Sequence, residues 1–337
     1  MVLDHTTNLL YLACSRVSAR PYWLSSVGNL NSSGRATDDY IGVYDIATSK
    51  ITRLEVAPYL NSDRGLSLHG MDVVRSSLDS TQLFFYIVNH RVPLVGLAEE
   101  VGADSSIEVF SLQDGSTVLQ HITTFEDPII STPNDVIGTT DGKSFWFTND
   151  HSSKTGLMRH LELPLDLYST TVGFCHLENG CKIAAPKLPG ANGIAKSPHN
   201  ETIYVSSAQS GGIRAFERQS DNTLQLLDFI TTDYIPVDNL SIDSNGALWG
   251  AGFPQGIALF KRVRDLTTNV PSRAIRITSA TETSERKYNS EKVFEDDGFI
   301  INGATSVVYH VPTKQLFLNG MILNFSDGLC HQLMSRT

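Results

Sequence analysis

Long apolar runs are missing from this chain. No stretch of about 18 consecutive apolar residues occurs, so no membrane-spanning helix is expected. The opening Met1-Val2-Leu3-Asp4-His5 has neither a basic leader nor an apolar core, so it does not begin as a secretory signal peptide. A cationic excess is missing too: 26 Lys and Arg stand against 36 Asp and Glu, for a net charge of -10. That balance argues against nucleic acid or an anionic membrane as partner. Four cysteines are too few for a disulfide scaffold. No Gly-x-Ser-x-Gly elbow, His-Glu-x-x-His or paired Cys-x-x-Cys occurs, which removes common signatures of serine hydrolases and zinc sites. Residues 138–144 look like a phosphate loop but are one residue short and lie between two predicted strands, so Asp141-Gly142 reads as a hairpin turn.

What is present is an internal repeat. Ser131-Thr132-Pro133-Asn134-Asp135-Val136 leads to the aromatic strand Phe145-Trp146-Phe147 and then Asn149-Asp150-His151. His69-Gly70-Met71-Asp72-Val73 leads likewise to Phe84-Phe85-Tyr86 and Asn89-His90. Ala191-Asn192-Gly193-Ile194, Asp238-Asn239-Leu240 and Asn302-Gly303-Ala304 each precede a further strand. The heads stand at 69, 134, 192, 238 and 302. Such spacing in a strand-rich chain predicts an all-β propeller, one domain over 1–337, with about 56 residues per blade if there are six blades. The innermost strands of a propeller begin around one axis, so these heads should converge at the mouth of a central tunnel.

Period-two stretches with tight turns mark the outer hairpins, among them Tyr40 to Asp45 and Ile213 to Glu217. Residues 23–38, rich in Ser, Gly and Asn, read as a surface loop, and 264–292 as a mobile connection. Leu94 to Val101 and Pro164 to Thr170 are the helical candidates, and Glu295-Asp296-Asp297 fits an exposed edge strand. Cys175 and Cys181 flank a turn at Glu178-Asn179-Gly180 and can face each other, bonded or not. Cys14, in an apolar run, reads as a buried thiol. Asn31, Asn200 and Asn324 head glycosylation sequons, which matter only in a secreted chain.

The converging heads carry hard oxygen donors and little sulfur, a set suited to calcium. Singly, polar residues at strand starts more often cap turns. At matching repeat positions, Asn134, Asn192, Asp238 and Asn239 point to a shared cation. His69 heads one repeat and His90 closes the strand after it, so the two can act together as a base and its helper.

From Leu3 onward the chain resembles the serum paraoxonase/arylesterase family of calcium-dependent six-bladed propeller lactonases. The resemblance is densest in Leu68-His69-Gly70, Val88-Asn89-His90, Pro133-Asn134-Asp135-Val136, Thr148-Asn149-Asp150-His151, Ala191-Asn192-Gly193-Ile194 and 237–243. It implies that Asn134, Asn192, Asp238 and Asn239 bind an upper, catalytic calcium. Asp135 and the Met71 carbonyl would bind a deeper, structural one, with His69 as the base that activates water and His90 assisting it. The implied function is that of a carboxylic ester hydrolase acting on small lactones and aryl esters, as a monomer.

Three departures accompany the resemblance. The family's Glu-Asp pair, one ligand for each calcium, would fall immediately before Met1, so the first blade is expected to be incomplete. The family's upstream cysteine partner for the match at Cys330 is missing. Phe253 stands where some members carry a histidine. The competing readings are a gluconolactonase- or strictosidine-synthase-like propeller enzyme, and a non-catalytic binding propeller that has lost its metals.

Overall fold

Along β9 (Gln82–Arg91) alternate side chains enter two different cores. Leu83, Phe85 and Ile87 pack with Tyr11 and Ile41 on one side, and Phe84, Tyr86 and Val88 pack with Phe145 and Phe147 on the other. Strand residues alternate faces, so a strand buried on both faces must be apolar throughout. That is why the repeat's second strand reads as an unbroken aromatic run. Each fully buried Phe contributes about 1.5–3 kcal/mol relative to exposure.

The computed structural model describes residues 1–321 apart from 61, 163, 199–200, 210–211, 235 and 281–286. Its first sheet comprises β1 (Val2–Asp4), β2 (Leu9–Cys14), β5 (Tyr40–Asp45) and β6 (Lys50–Arg53), with a small hairpin of β3 (Trp23–Leu24) and β4 (Asn29–Leu30) inserted before β5. The second holds β7 (Glu55–Val56), β8 (Leu68–Arg75), β9, β10 (Asp104–Gln113) and β11 (Val118–Phe125), β7 lying parallel on its outer edge. The third is β12 (Pro133–Gly138), β13 (Ser144–Asn149), β14 (Thr170–His176) and β15 (Gly180–Leu188). The fourth is β16 (Ala191–Lys196), β17 (Thr202–Ser207), β18 (Ile213–Arg218) and β19 (Leu224–Ile230). The fifth is β20 (Leu240–Ile242), β21 (Leu248–Gly252), β22 (Ser272–Ser279) and β23 (Tyr288–Asp296). A two-stranded sheet, β24 (Ser306–His310) and β25 (Gln315–Asn319), follows.

This is an all-β propeller. Neighbouring sheets share a core at each junction, and the last core joins Val308 and Phe317 to Leu10 and Leu12 of the first sheet. The inner strands β1, β8, β12, β16, β20 and β24 each touch the next, and β24 touches β1, so they enclose a tunnel.

Several expectations change. The first sheet has four strands, so it is not the incomplete one; among the described residues the short sheet is the last. Residues 23–38 are more than a surface loop: Trp23, Leu24 and Leu30 are buried, and Leu24 packs with Phe253, Leu259 and Val270. The segment caps the tunnel because its scattered apolar residues find partners on other loops. The first helical candidate forms α1 (Ala98–Val101), but the second lies earlier, as α2 (Leu157–Glu162), and ends before Pro164. Among the described residues of 264–292, 272–279 and 288–292 are strand, β22 pairing with β23, where a mobile connection was expected. Cys175 and Cys181 are direct cross-strand partners and are disulfide-bonded, with Cα atoms 4.1 Å apart. Cys14 is buried but disulfide-bonded, not a free thiol. Cys330, Asn200 and Asn324 lie outside the described residues.

Candidate functional site

Three of the repeat heads sit in β-bulges. The ladder between β8 and β9 slips between Leu68 and Met71, freeing His69-Gly70. That between β12 and β13 slips between Pro133 and Val136, freeing Asn134-Asp135. That between β16 and β17 slips between Ala191 and Ile194, freeing Asn192-Gly193. A bulge places two residues against one and re-aims their side chains. Asp238 and Asn239 stand just ahead of β20, still tied to β21 through Asp238 N to Ala251 O at 2.8 Å.

The glycines beside these heads make the crowding possible. A Cβ on Gly70 would lie 2.3 Å from Asn134 O and 2.5 Å from Asp135 Cα; one on Gly193 would lie 2.5 Å from Asn239 Cα. Adjacent inner strands therefore touch backbone to backbone at the heads. Hydrogen bonds continue around the ring: Ile194 N donates to Asp135 Oδ2 at 3.1 Å, and Ser206 Oγ to Asp238 O at 2.6 Å. Asn239 Nδ2 donates to Thr305 O at 2.8 Å and Ser306 Oγ at 3.2 Å.

The heads line a cavity of about 980 Å³, and His69, Met71, Asn134, Asp135, Asn192, Asp238 and Asn239 all border it. The fifth head behaves differently. Asn302 accepts from Val270 N at 2.8 Å, while Thr305 and Ser306 take the cavity position. Phe253, Leu259 and Phe260 form an apolar wall.

Two of the asparagines spend their amide nitrogens on the protein, Asn134 Nδ2 donating to Asp150 Oδ2 at 3.1 Å and Asn239 as above. Their Oδ1 atoms are left for the cavity. Asn192 Oδ1 is buried and has no hydrogen-bond partner. Burial pushes Asp135 up to about 7 against the hydrogen bond from Ile194 N. Burial, with the charges of Asp135 and Asp150, pushes Asp238 up to about 8. Asp238 faces other carboxyls and, among the described residues, no positive group acts on it, and a hard cation fits this oxygen set. Among the described residues, no group of three or more His, Cys, Asp or Glu is placed to hold a metal; the converging set is mixed carboxylate and amide.

The rings of His69 and His90 lie 5.2 Å apart, centroid to centroid, at 59°. His90 Nδ1 meets Ser105 Oγ at 2.9 Å, and its buried Nε2 has no partner. Burial and the nearby Arg20 guanidinium lower His69 to about 4; burial and His69 hold His90 well below its usual value. Both imidazoles are neutral at neutral pH and able to accept a proton.

Asp72, Asp150 and His151 stand inside the sequence motifs, and their roles emerge only in the fold. Asp72 is half-buried on β8, accepting from Gly138 N at 2.8 Å and Val73 N at 2.9 Å, and desolvation pushes it up to about 6. Burial alone would raise Asp150, but His151, Arg159 and the Asn134 amide outweigh it and hold the carboxyl below its usual range. Asp150 Oδ1 pairs with His151 Nδ1 at 2.7 Å. Arg159 on α2 clamps the cap, donating to Ser25 O at 2.6 Å and Ser26 O at 2.8 Å. No local pattern marks Arg20 or Arg159; only tertiary packing brings them here. The motif residues Asn89 and Asn149 are structural, each accepting from the backbone N–H that enters its own head, Ser67 at 2.8 Å and Thr132 at 3.0 Å.

The arylesterase family model matches residues 35–325. The chain belongs to the arylesterase family. It is 27% identical to human serum paraoxonase/arylesterase 2 over 252 residues, covering 73% of this chain and 66% of that protein. It is 28% identical to the bovine protein of the same name, covering 77% and 69%. Rat serum paraoxonase/arylesterase 1 is 25% identical over 80% of this chain and 72% of its own. The arylesterase match thus spans about two thirds of the length of these curated relatives. Two solved structures share the fold. A luciferin-regenerating enzyme aligns with TM-score 0.52 at 15% identity, covering 97% of this chain and 84% of that one. A putative 6-phosphogluconolactonase from Bacteroides uniformis aligns with TM-score 0.50 at 12% identity, covering 97% of each. No helix among the described residues is long and apolar enough to cross a membrane.

Proposed function

We propose that this arylesterase-family chain is a carboxylic ester hydrolase acting on small lactones and aryl esters, with a calcium-dependent site at the mouth of one six-bladed propeller. In this reading β24 and β25 are the inner half of the sixth blade. The observation that carries the reading is Asn192 Oδ1, a buried oxygen without a partner in the same cavity as Asp135 and Asp238. Asn134, Asn192, Asp238 and Asn239 would hold a catalytic calcium, and Asp135 with the Met71 carbonyl a deeper one. Bound calcium supplies Lewis-acid polarisation of the scissile carbonyl and stabilises the developing oxyanion.

His69, kept neutral by burial, takes a proton from water as the water oxygen bonds to the carbonyl carbon. The ring or ester C–O bond then breaks, and the proton passes to the leaving oxygen, giving a hydroxy acid from a lactone. His90, anchored on Ser105 with its ring centroid 5.2 Å from that of His69, would assist it. The Phe253, Leu259 and Phe260 wall suits the hydrocarbon part of such substrates.

The test is hydrolysis of a γ-lactone series and phenyl acetate, with excess calcium and with a chelator. The expected result is turnover that falls at least about tenfold with chelator and returns when calcium is restored. Turnover indifferent to chelator would overturn the calcium assignment; no turnover of any lactone or ester would overturn the hydrolase reading.

A further inference from the structure

Arg20 is a buried arginine with an unmet hydrogen-bonding capacity at the active cavity. It is 8% exposed and lines the same cavity as His69, Asn134 and Asn192. A guanidinium carries five N–H donors and stays charged in proteins. Here Nη2 makes one long bond, to Leu68 O at 3.4 Å, and the buried Nε has no partner. The neighbouring acid does not satisfy it. Asp39 accepts from Ser15 Oγ at 2.6 Å through one oxygen and from Leu68 N at 2.9 Å through the other.

Other buried arginines are treated differently. Arg91 pairs with Glu126 at 2.6 Å and Asp104 at 3.3 Å. Arg159 donates to three backbone carbonyls. Asp39 acts on Arg20 through its charge without bonding to it, and a buried guanidinium with unmet N–H donors is better satisfied when an anion enters the cavity.

We propose that Arg20 is a specificity determinant that receives a free carboxylate carried by the substrate, so that the preferred substrates are lactones or esters bearing a second, acidic group. The guanidinium fork matches a carboxylate, two N–H donors to two oxygens. Arg20 stands in the connection between β2 and β3, just ahead of the capping segment, and its bond to Leu68 O sets it beside the His69 head, so it addresses a second group carried close to the carbonyl that the heads surround. The chain's net charge of -10 gives no long-range attraction for an anion, so selection for one requires a local cation such as this. The substrate class rests on the hydrolase reading above, whereas carboxylate binding at Arg20 does not.

The experiment compares kcat/KM for a γ-lactone bearing a side-chain carboxylate with that for its neutral methyl amide, using the full chain with calcium. The wild-type ratio is expected to favour the carboxylate by at least about tenfold. Arg20→Met is expected to bring the ratio close to one, mainly through KM, and Arg20→Lys to retain part of the preference. A purely structural Arg20 would lower both substrates together and leave the ratio unmoved. A wild-type ratio at or below one, or a ratio unchanged in Arg20→Met, would overturn the proposal. If Arg20→Met does not fold, the wild-type ratio and Arg20→Lys decide. If no lactone is turned over, the hydrolase reading fails separately. Calorimetric titration with succinate then tests Arg20 alone: binding to wild type that Arg20→Lys weakens supports it, and no binding to wild type overturns it.

Discussion

Asn134 donates its side-chain N–H to Asp150 Oδ2 at 3.1 Å, and that bond decides which end of the amide faces the cavity. With the nitrogen held by Asp150, the oxygen is the end left for a cation. Asp150 can play this part because His151 and Arg159 keep it ionised despite its burial. Asp150→Ala should therefore free the Asn134 amide to turn, weakening calcium affinity at least about tenfold. A calcium titration of the variant indistinguishable from the parent would disprove the orienting role.

His69→Gln should lower kcat by about a hundredfold or more, the range expected for loss of a general base, and leave the fold intact. Far-ultraviolet circular dichroism and the thermal midpoint check the fold; initial rates check the chemistry. Undiminished turnover in a folded variant would remove His69 from the reaction.

Cation binding and pH should be linked in a defined direction. Asp135 and Asp238 have native pKa values raised to about 7 and about 8, above those of an unfolded chain. Without calcium, these two groups contribute stability that is lost as pH rises through those values. His69 and His90 act oppositely, adding stability as pH rises toward about 6.5, the unfolded value for histidine. Above pH 7 the carboxyls dominate this balance. In the proposed site calcium would have to displace their protons, so a calcium-induced rise in Tm should grow between pH 6 and pH 8. An increment independent of pH, measured by differential scanning fluorimetry, would contradict this account.

The backbone approach at the bulges predicts an unusual sensitivity at two glycines. Gly70→Ala must push apart β8 and β12, since its Cβ would meet Asn134 O at 2.3 Å; Gly193→Ala meets Asn239 Cα at 2.5 Å. Each should cost about 1–3 kcal/mol, whereas Gly115→Ala meets no atom within 4 Å and serves as the control, its remaining cost coming from the positive φ of 80°. Urea unfolding of the three variants separates the two causes.

The sequence by itself determined the β-propeller class and the candidate heads. Repeated polar heads before aromatic strands have a physical cause: inner strands must start at the axis, and second strands are buried on both faces. The cross-strand position of Cys175 and Cys181 was likewise legible, because their turn is local. Tertiary structure alone decided the rest. Bulges that turn Asn134 and Asn192 out of register depend on the partner strand, which no local pattern records. Residues 23–38 look like a surface loop because their apolar residues are few, yet Leu24 becomes core once α3 (Gly256–Arg262) and Phe253 pack against it. Arg20 and Arg159 gain their meaning in the same way, from contacts far off in the chain. Short-range chemistry sets strands and turns, but the neighbours of a buried charge are set only when distant segments close over it.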